Sequence, residues 1–169
     1  MDTGGNGERA AHRRVRQTMM PDVANPHRPE VLHHVELWVP DLARAEASWG
    51  WLLTALGAAP FQSWEHGRSW RFGEGTYVVV EQSPALSADR HDRRAPGLNH
   101  VAFWVTDLDA VVAEAPGHGW TLLFPERHPF AGGPDHRAAY LEDADGYEVE
   151  LVPVPSGASG GTRKPPQPS

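Results

Sequence analysis

The chain has no cysteine and, among 169 residues, a single lysine. Without cysteine, a disulfide scaffold, a thiolate zinc site, an iron–sulfur cluster and a cysteine nucleophile are all excluded, so any metal must be held by His and carboxylate. No apolar run approaches the ~18 residues of a membrane span, and the N-terminus lacks the apolar core of a signal peptide. The expectation is a soluble, cytoplasmic protein with no membrane partner. Tyr and Phe are few, yet seven Trp and a hydrophobic content of 40% supply enough apolar surface for a core, which excludes disorder of the whole chain. The length fits one ordinary domain or two half-domains sharing a core.

The net charge of −7 is unevenly spread. Residues 1–30 carry five Arg against four acids, and 154–169 carry one Arg and one Lys against none. The body between them holds eight Arg against eighteen acids, a net of −10 with His neutral. Such a body repels a phosphate backbone, so nucleic acid is not an expected partner. Both ends are rich in Gly, Pro or polar residues without apolar periodicity and read as flexible tails.

Between the tails the chain repeats itself. Leu32-His33-His34-Val35-Glu36-Leu37-Trp38-Val39-Pro40-Asp41-Leu42 aligns without gaps on Leu98-Asn99-His100-Val101-Ala102-Phe103-Trp104-Val105-Thr106-Asp107-Leu108, at an offset of 66 residues. Each copy is an alternating strand followed by an Asp placed to cap a helix. Leu42, Ala45, Trp49, Leu52, Leu53 and Leu56 then fall at helical spacing, which predicts a helix over 42–56 that stops at Gly57. Leu108, Val111, Val112 and Ala115 repeat the pattern over a shorter run ending at Pro116-Gly117. Three strands follow each helix, predicted over 61–65, 69–72 and 77–82 in the first half and over 120–124, 137–141 and 147–152 in the second.

The predicted organisation is a tail (1–30), a first module (31–83), a connector (84–97), a second module (98–153) and a tail (154–169). The fold class is α+β: two strand-helix-three-strand modules forming a curved, mixed, eight-stranded sheet around a metal-binding cleft. A half of this size cannot cover its sheet with one helix, so the halves share a face with each other or with another chain. Outer sheet edges remain for a second copy to cover, and a homodimer is expected.

The chemistry-bearing residues sit at repeated places. His34 and His100 occupy matching positions in the two first strands, and Glu81 and Glu150 lie late in the two last strands. A carboxylate on an apolar strand needs a cation, since burying it unpaired costs several kcal/mol. Two imidazoles and two carboxylates suit a divalent ion with room left for water or substrate. His33 competes with His34, but neighbours on a strand face opposite ways, and the repeat selects His34. Glu148, two residues before Glu150, is the alternative fourth acid. Trp38, Trp64, Trp70 and Trp104 read as core or cleft-wall packing.

These modules, the L-x-H-V starts and the segment Asp143-Ala144-Asp145-Gly146-Tyr147-Glu148-Val149-Glu150-Leu151-Val152 resemble the vicinal oxygen chelate superfamily of glyoxalases, extradiol dioxygenases, epimerases, and fosfomycin- and bleomycin-resistance proteins. The resemblance spans about residues 31–153. Ala144 stands where the family turn has Pro. The resemblance implies metal binding by His34, His100 and Glu150, with a fourth ligand at Glu81 in glyoxalase-like and epimerase-like members.

The expected function is therefore that of a divalent-metal enzyme (nickel, zinc, cobalt, manganese or iron) acting on a small oxygen-chelating substrate. The expected reaction is a lyase- or isomerase-type proton transfer through an enediolate. Glu81 or Glu150 serves as the base, and His136 and Tyr140 as substrate contacts. The alternatives are a non-catalytic sequestering protein of the bleomycin-resistance type and, third, an extradiol ring-cleaving dioxygenase.

Overall fold

The computed structural model describes residues 31–155; both predicted tails lie outside these residues but for Val154 and Pro155. Strand β1 (His34–Trp38) runs into helix α1 (Leu42–Ala55), followed by β2 (Ala59–Trp64), β3 (Gly67–Arg71) and β4 (Tyr77–Glu81). The second module repeats the order with β5 (Val101–Val105), α2 (Leu108–Glu114), a 3-10 turn (Ala115–His118), β6 (Trp120–Leu123), β7 (Ala139–Asp143) and β8 (Glu148–Pro153). The helix starts are set by the repeated aspartates. Asp41 accepts from the Arg44 amide at 2.9 Å and Asp107 from that of Ala110 at 3.1 Å, each satisfying a donor that a helix N-terminus leaves free.

The α+β class and the two strand-helix-three-strand modules are as expected. The strands form two four-stranded mixed sheets, ordered β1-β4-β3-β2 and β5-β8-β7-β6, and no ladder of hydrogen bonds joins them among the described residues. In each sheet the first strand pairs parallel with the last, and the other pairs are antiparallel.

The halves meet through their helix sides. Helix α1 buries Leu42, Ala45, Trp49, Leu52 and Leu53, whereas the seven residues of α2 bury Leu108 alone. A helix of two turns cannot cover four strands, so α1 serves both sheets. The Trp49 ring meets Trp120 edge-on at 5.2 Å, its Nε1 donates to Asp143 at 2.9 Å, and Trp120 Nε1 donates to the Ser48 carbonyl at 3.1 Å. Residues of both sheets thus join one core, among them Leu37, Val78 and Val80 from the first and Leu141, Val149 and Leu151 from the second. By strand alternation the opposite faces of both sheets look away from that core. Trp38 and Trp104 lie on them, 41% and 63% exposed, and Trp64 is also exposed, while Trp70 is buried in the core.

The connector is fastened to the turn between β7 and β8. The His91 ring stacks on Tyr147 at 4.6 Å, and its amide donates to the Asp145 carbonyl at 2.8 Å. Gly146 permits this approach. Its φ is +88°, and a Cβ there would lie 2.5 Å from the His91 carbonyl oxygen.

Candidate functional site

Glu150 is the centre of the polar cluster on the open face of the second sheet. On β8 it is 9% exposed, and the register sets it beside Ala102 of β5 and Tyr140 of β7. His100 Nε2 lies 3.3 Å from one carboxylate oxygen and His136 Nε2 3.0 Å from the other. His136 comes from the loop before β7, outside the strand expected over 137–141. Its ring lies over Gly132, where a Cβ would come within 2.0 Å of it. Tyr140 stands beside Glu150 in register, and burial foremost, then the neighbouring carboxylate, raises its phenol above the ordinary range.

His100 is oriented from behind. Its Nδ1 lies 2.9 Å from Asn99 Oδ1, while Asn99 Nδ2 donates to the Arg93 carbonyl at 3.0 Å. The second bond fixes the amide with its oxygen toward the ring, so neutral His100 carries its proton on Nδ1 and turns a lone pair toward Glu150. Two acceptors then face each other at 3.3 Å. A cation placed between them would satisfy both acceptors. Asn99 was legible only as the residue that is not a second His. In the first module the matching contact is between two rings, His33 Nδ1 lying 2.9 Å from His34 Nδ1, and either nitrogen can be the donor.

The first sheet presents His34, Glu36 and Trp38 of β1 beside Tyr77, Val79 and Glu81 of β4, paired in that order. His34 stacks on Tyr77 at 4.9 Å, and His33 meets the same ring edge-on at 5.2 Å. Both histidines therefore reach one ring, because His33 precedes the strand and escapes its alternation. Glu81 lies opposite Trp38, four residues along from His34, about 13 Å at strand rise. In the second sheet Glu150 lies opposite Ala102, only two residues along from His100. The position matching Glu150 is thus Val79, and the repeat that aligns β1 with β5 slips by two residues between β4 and β8. Among the described residues Glu81 has no ion pair, and the Arg71 guanidinium on the neighbouring β3 lies over the Phe61 ring at 4.1 Å.

Glu148, the alternative acid, is turned to the connector, with Arg93 Nη1 3.0 Å from its carboxylate. Burial pushes this carboxyl up, and Arg93 counters it. The structure brings His100, Glu150, His136 and Tyr140 together and leaves His34 and Glu81 on the other sheet. Among the described residues, no three His or acidic side chains are gathered so as to hold a metal ion. The donor chemistry of His100 and Glu150, an imidazole beside a carboxylate, fits a divalent ion.

Comparisons with known proteins agree with this architecture. Residues 33–140 match the family model described as glyoxalase/bleomycin resistance protein/dioxygenase superfamily. The uncharacterized protein YqjT of Bacillus subtilis (strain 168) is 39% identical over 125 residues, which are 72% of this chain and 97% of that protein. A Bacillus halodurans protein solved as a candidate glyoxalase superposes with a TM-score of 0.68 at 38% identity, covering 74% of this chain and 96% of its own. A glyoxalase/bleomycin resistance protein from Albidiferax ferrireducens shares the fold, with a TM-score of 0.59 at 21% identity over 73% of this chain and 98% of that one.

Proposed function

The chain belongs to the glyoxalase/bleomycin resistance protein/dioxygenase superfamily, and from that premise we propose that it is a divalent-metal-dependent enzyme moving a proton on a small substrate that chelates through two oxygens. The observation that carries this reading is His100, whose Nε2 lies 3.3 Å from Glu150 while Asn99 engages its other nitrogen. His100 and Glu150 would hold the ion from the second module. His34, on the open face of the first module in a second copy of the chain, would supply a third donor. Glu81 is left out of this set because it lies about 13 Å along the strand from the level of His34.

A divalent ion held by these residues would polarise substrate oxygens and stabilise negative charge developing on them. Two His and one carboxylate would hold such an ion without filling its coordination, so a substrate that offers two oxygens could join it. The chain's own proton-handling groups stand beside these donors. His136 is exposed and reaches Glu150 at 3.0 Å, well placed to take a proton from substrate or return one. Tyr140, its phenol kept protonated by burial and by Glu150, donates a hydrogen bond to developing negative charge.

A second reading rests on the exposed Trp38 and Trp104 and the acidic open faces. These suit sequestration of a flat cationic molecule, as in bleomycin resistance. Metal analysis of protein purified without added metal decides between the two, followed by titration with nickel, cobalt, zinc, manganese and ferrous iron. The enzyme reading expects stoichiometric binding that is lost in His100→Ala. Binding no higher than background leaves sequestration as the function. Oxygen uptake on a catechol panel with ferrous iron would convert the assignment to a ring-cleaving dioxygenase.

A further inference from the structure

A second recess lies on the open face of the first sheet, beside His34. It encloses about 160 Å³ between Leu32, His33, Phe61, Arg71, Glu74 and Tyr77. The register sets His34, Tyr77 and Arg71 side by side on β1, β4 and β3, so Arg71 starts two strand spacings, about 10 Å, from the candidate metal donor. Its guanidinium carbon lies 4.1 Å from the centre of the Phe61 ring, and Phe61 meets Tyr77 edge-on at 5.4 Å.

Among the described residues the ionic neighbour of Arg71 is Glu74, 3.7 Å away and 96% exposed. That separation is too long for a hydrogen bond, and an acid on an exposed turn holds such a contact weakly. The Arg71 side chain is itself one-third exposed and opens into the recess. A guanidinium packed on an aromatic ring, with Glu74 as its one ionic neighbour among the described residues, matches a planar carboxylate, which a guanidinium grips with two parallel hydrogen bonds.

We propose that this recess is an anion subsite that takes the carboxylate of a substrate with a flat apolar body, with Arg71 as the binding residue and Glu74 as a weak occupant displaced on binding. This rests on the proposed function for one point only, that the other end of the same molecule reaches the oxygen-chelating site near His34. The substrate is then a small carboxylic acid that carries its chelating oxygens at the end away from its carboxylate. Binding at Arg71 requires no metal, so it is tested apart from the metal.

The test is a titration of the full chain in chelator with benzoate, followed through the Arg71 Nε–Hε resonance and by calorimetry. Wild type is expected to saturate at millimolar benzoate. Affinity should drop about tenfold or more in Arg71→Gln, the loss of one charge-assisted pair, and rise several-fold in Glu74→Gln. That second variant alters an exposed turn residue and leaves the fold intact. His100→Ala, which tests the metal reading, is expected to leave benzoate affinity unchanged. Equal benzoate affinity in wild type and Arg71→Gln would overturn the subsite, as would absence of saturable binding in both wild type and Glu74→Gln. Inorganic phosphate binding more tightly than benzoate would reject the planar carboxylate as its ligand.

Discussion

At the scale of single residues, the two late-strand glutamates have opposite surroundings and should respond differently to the same change. Glu150 touches His100 and His136, whereas Glu81 pairs in register with Trp38 and Gly67. Glu150→Gln removes a charge from the proposed metal donors, and divalent affinity by calorimetry should fall by about two orders of magnitude or more. Glu81→Gln should change it by less than about threefold. A large loss in Glu81→Gln would return Glu81 to the ligand set. Asp143 offers a separate test. It is 5% exposed and accepts from Trp49 Nε1 and from the Asp145 and Tyr147 amides. Burial raises its pKa despite these bonds. A raised carboxyl favours the folded state most below the ordinary carboxylate pKa, and that contribution is lost as pH rises through the folded value. Asp143→Ala should remove this pH dependence from thermal melts and, by orphaning three buried donors, cost about 3 kcal/mol or more.

At the scale of elements, the contrast between the helices decides how the halves assemble. The 14 residues of α1 seal both sheets, and the short α2 leaves its own sheet dependent on Trp49. The connector depends on one close approach in the same way. Gly146→Ala puts a Cβ against the His91 carbonyl at a φ of +88°, so the His91–Tyr147 stack should break. We expect a loss of about 2 kcal/mol or more in denaturant melts. Faster proteolytic cleavage within residues 84–97 should accompany it, and an unchanged cleavage rate would mean that other contacts, such as Arg93 on Glu148, suffice to fasten the connector.

At the scale of the whole molecule, the proposed site needs two copies. The faces bearing His34 and His100 look away from a shared core, so sedimentation at micromolar concentration should give a dimer. Complementation is the sharper measurement. His34→Ala and His100→Ala, each unable to bind metal, should regain about a quarter of the wild-type sites when unfolded and refolded together, since random pairing makes half the dimers mixed, each with one intact site. No regain would place all donors within one chain and remove the two-copy arrangement.

The sequence by itself determined the two modules, their helix caps and the alternation that puts His34, His100 and Glu150 on open faces. These follow from local periodicity and from one ungapped repeat, which neighbouring residues impose on the backbone directly. Only the tertiary structure decided which acid stands at the level of which His. Strand register depends on the turns between β1 and β4 and on the partner strand, and a slip of two residues keeps every side chain on the same face. Glu81 therefore looked equivalent to Glu150 in the sequence, while Val79 holds that level in the sheet. Likewise, periodicity gave the length of each helix but not its partner. That α1 covers both sheets and turns the two His-bearing faces outward follows from packing a long helix and a short one around a single core.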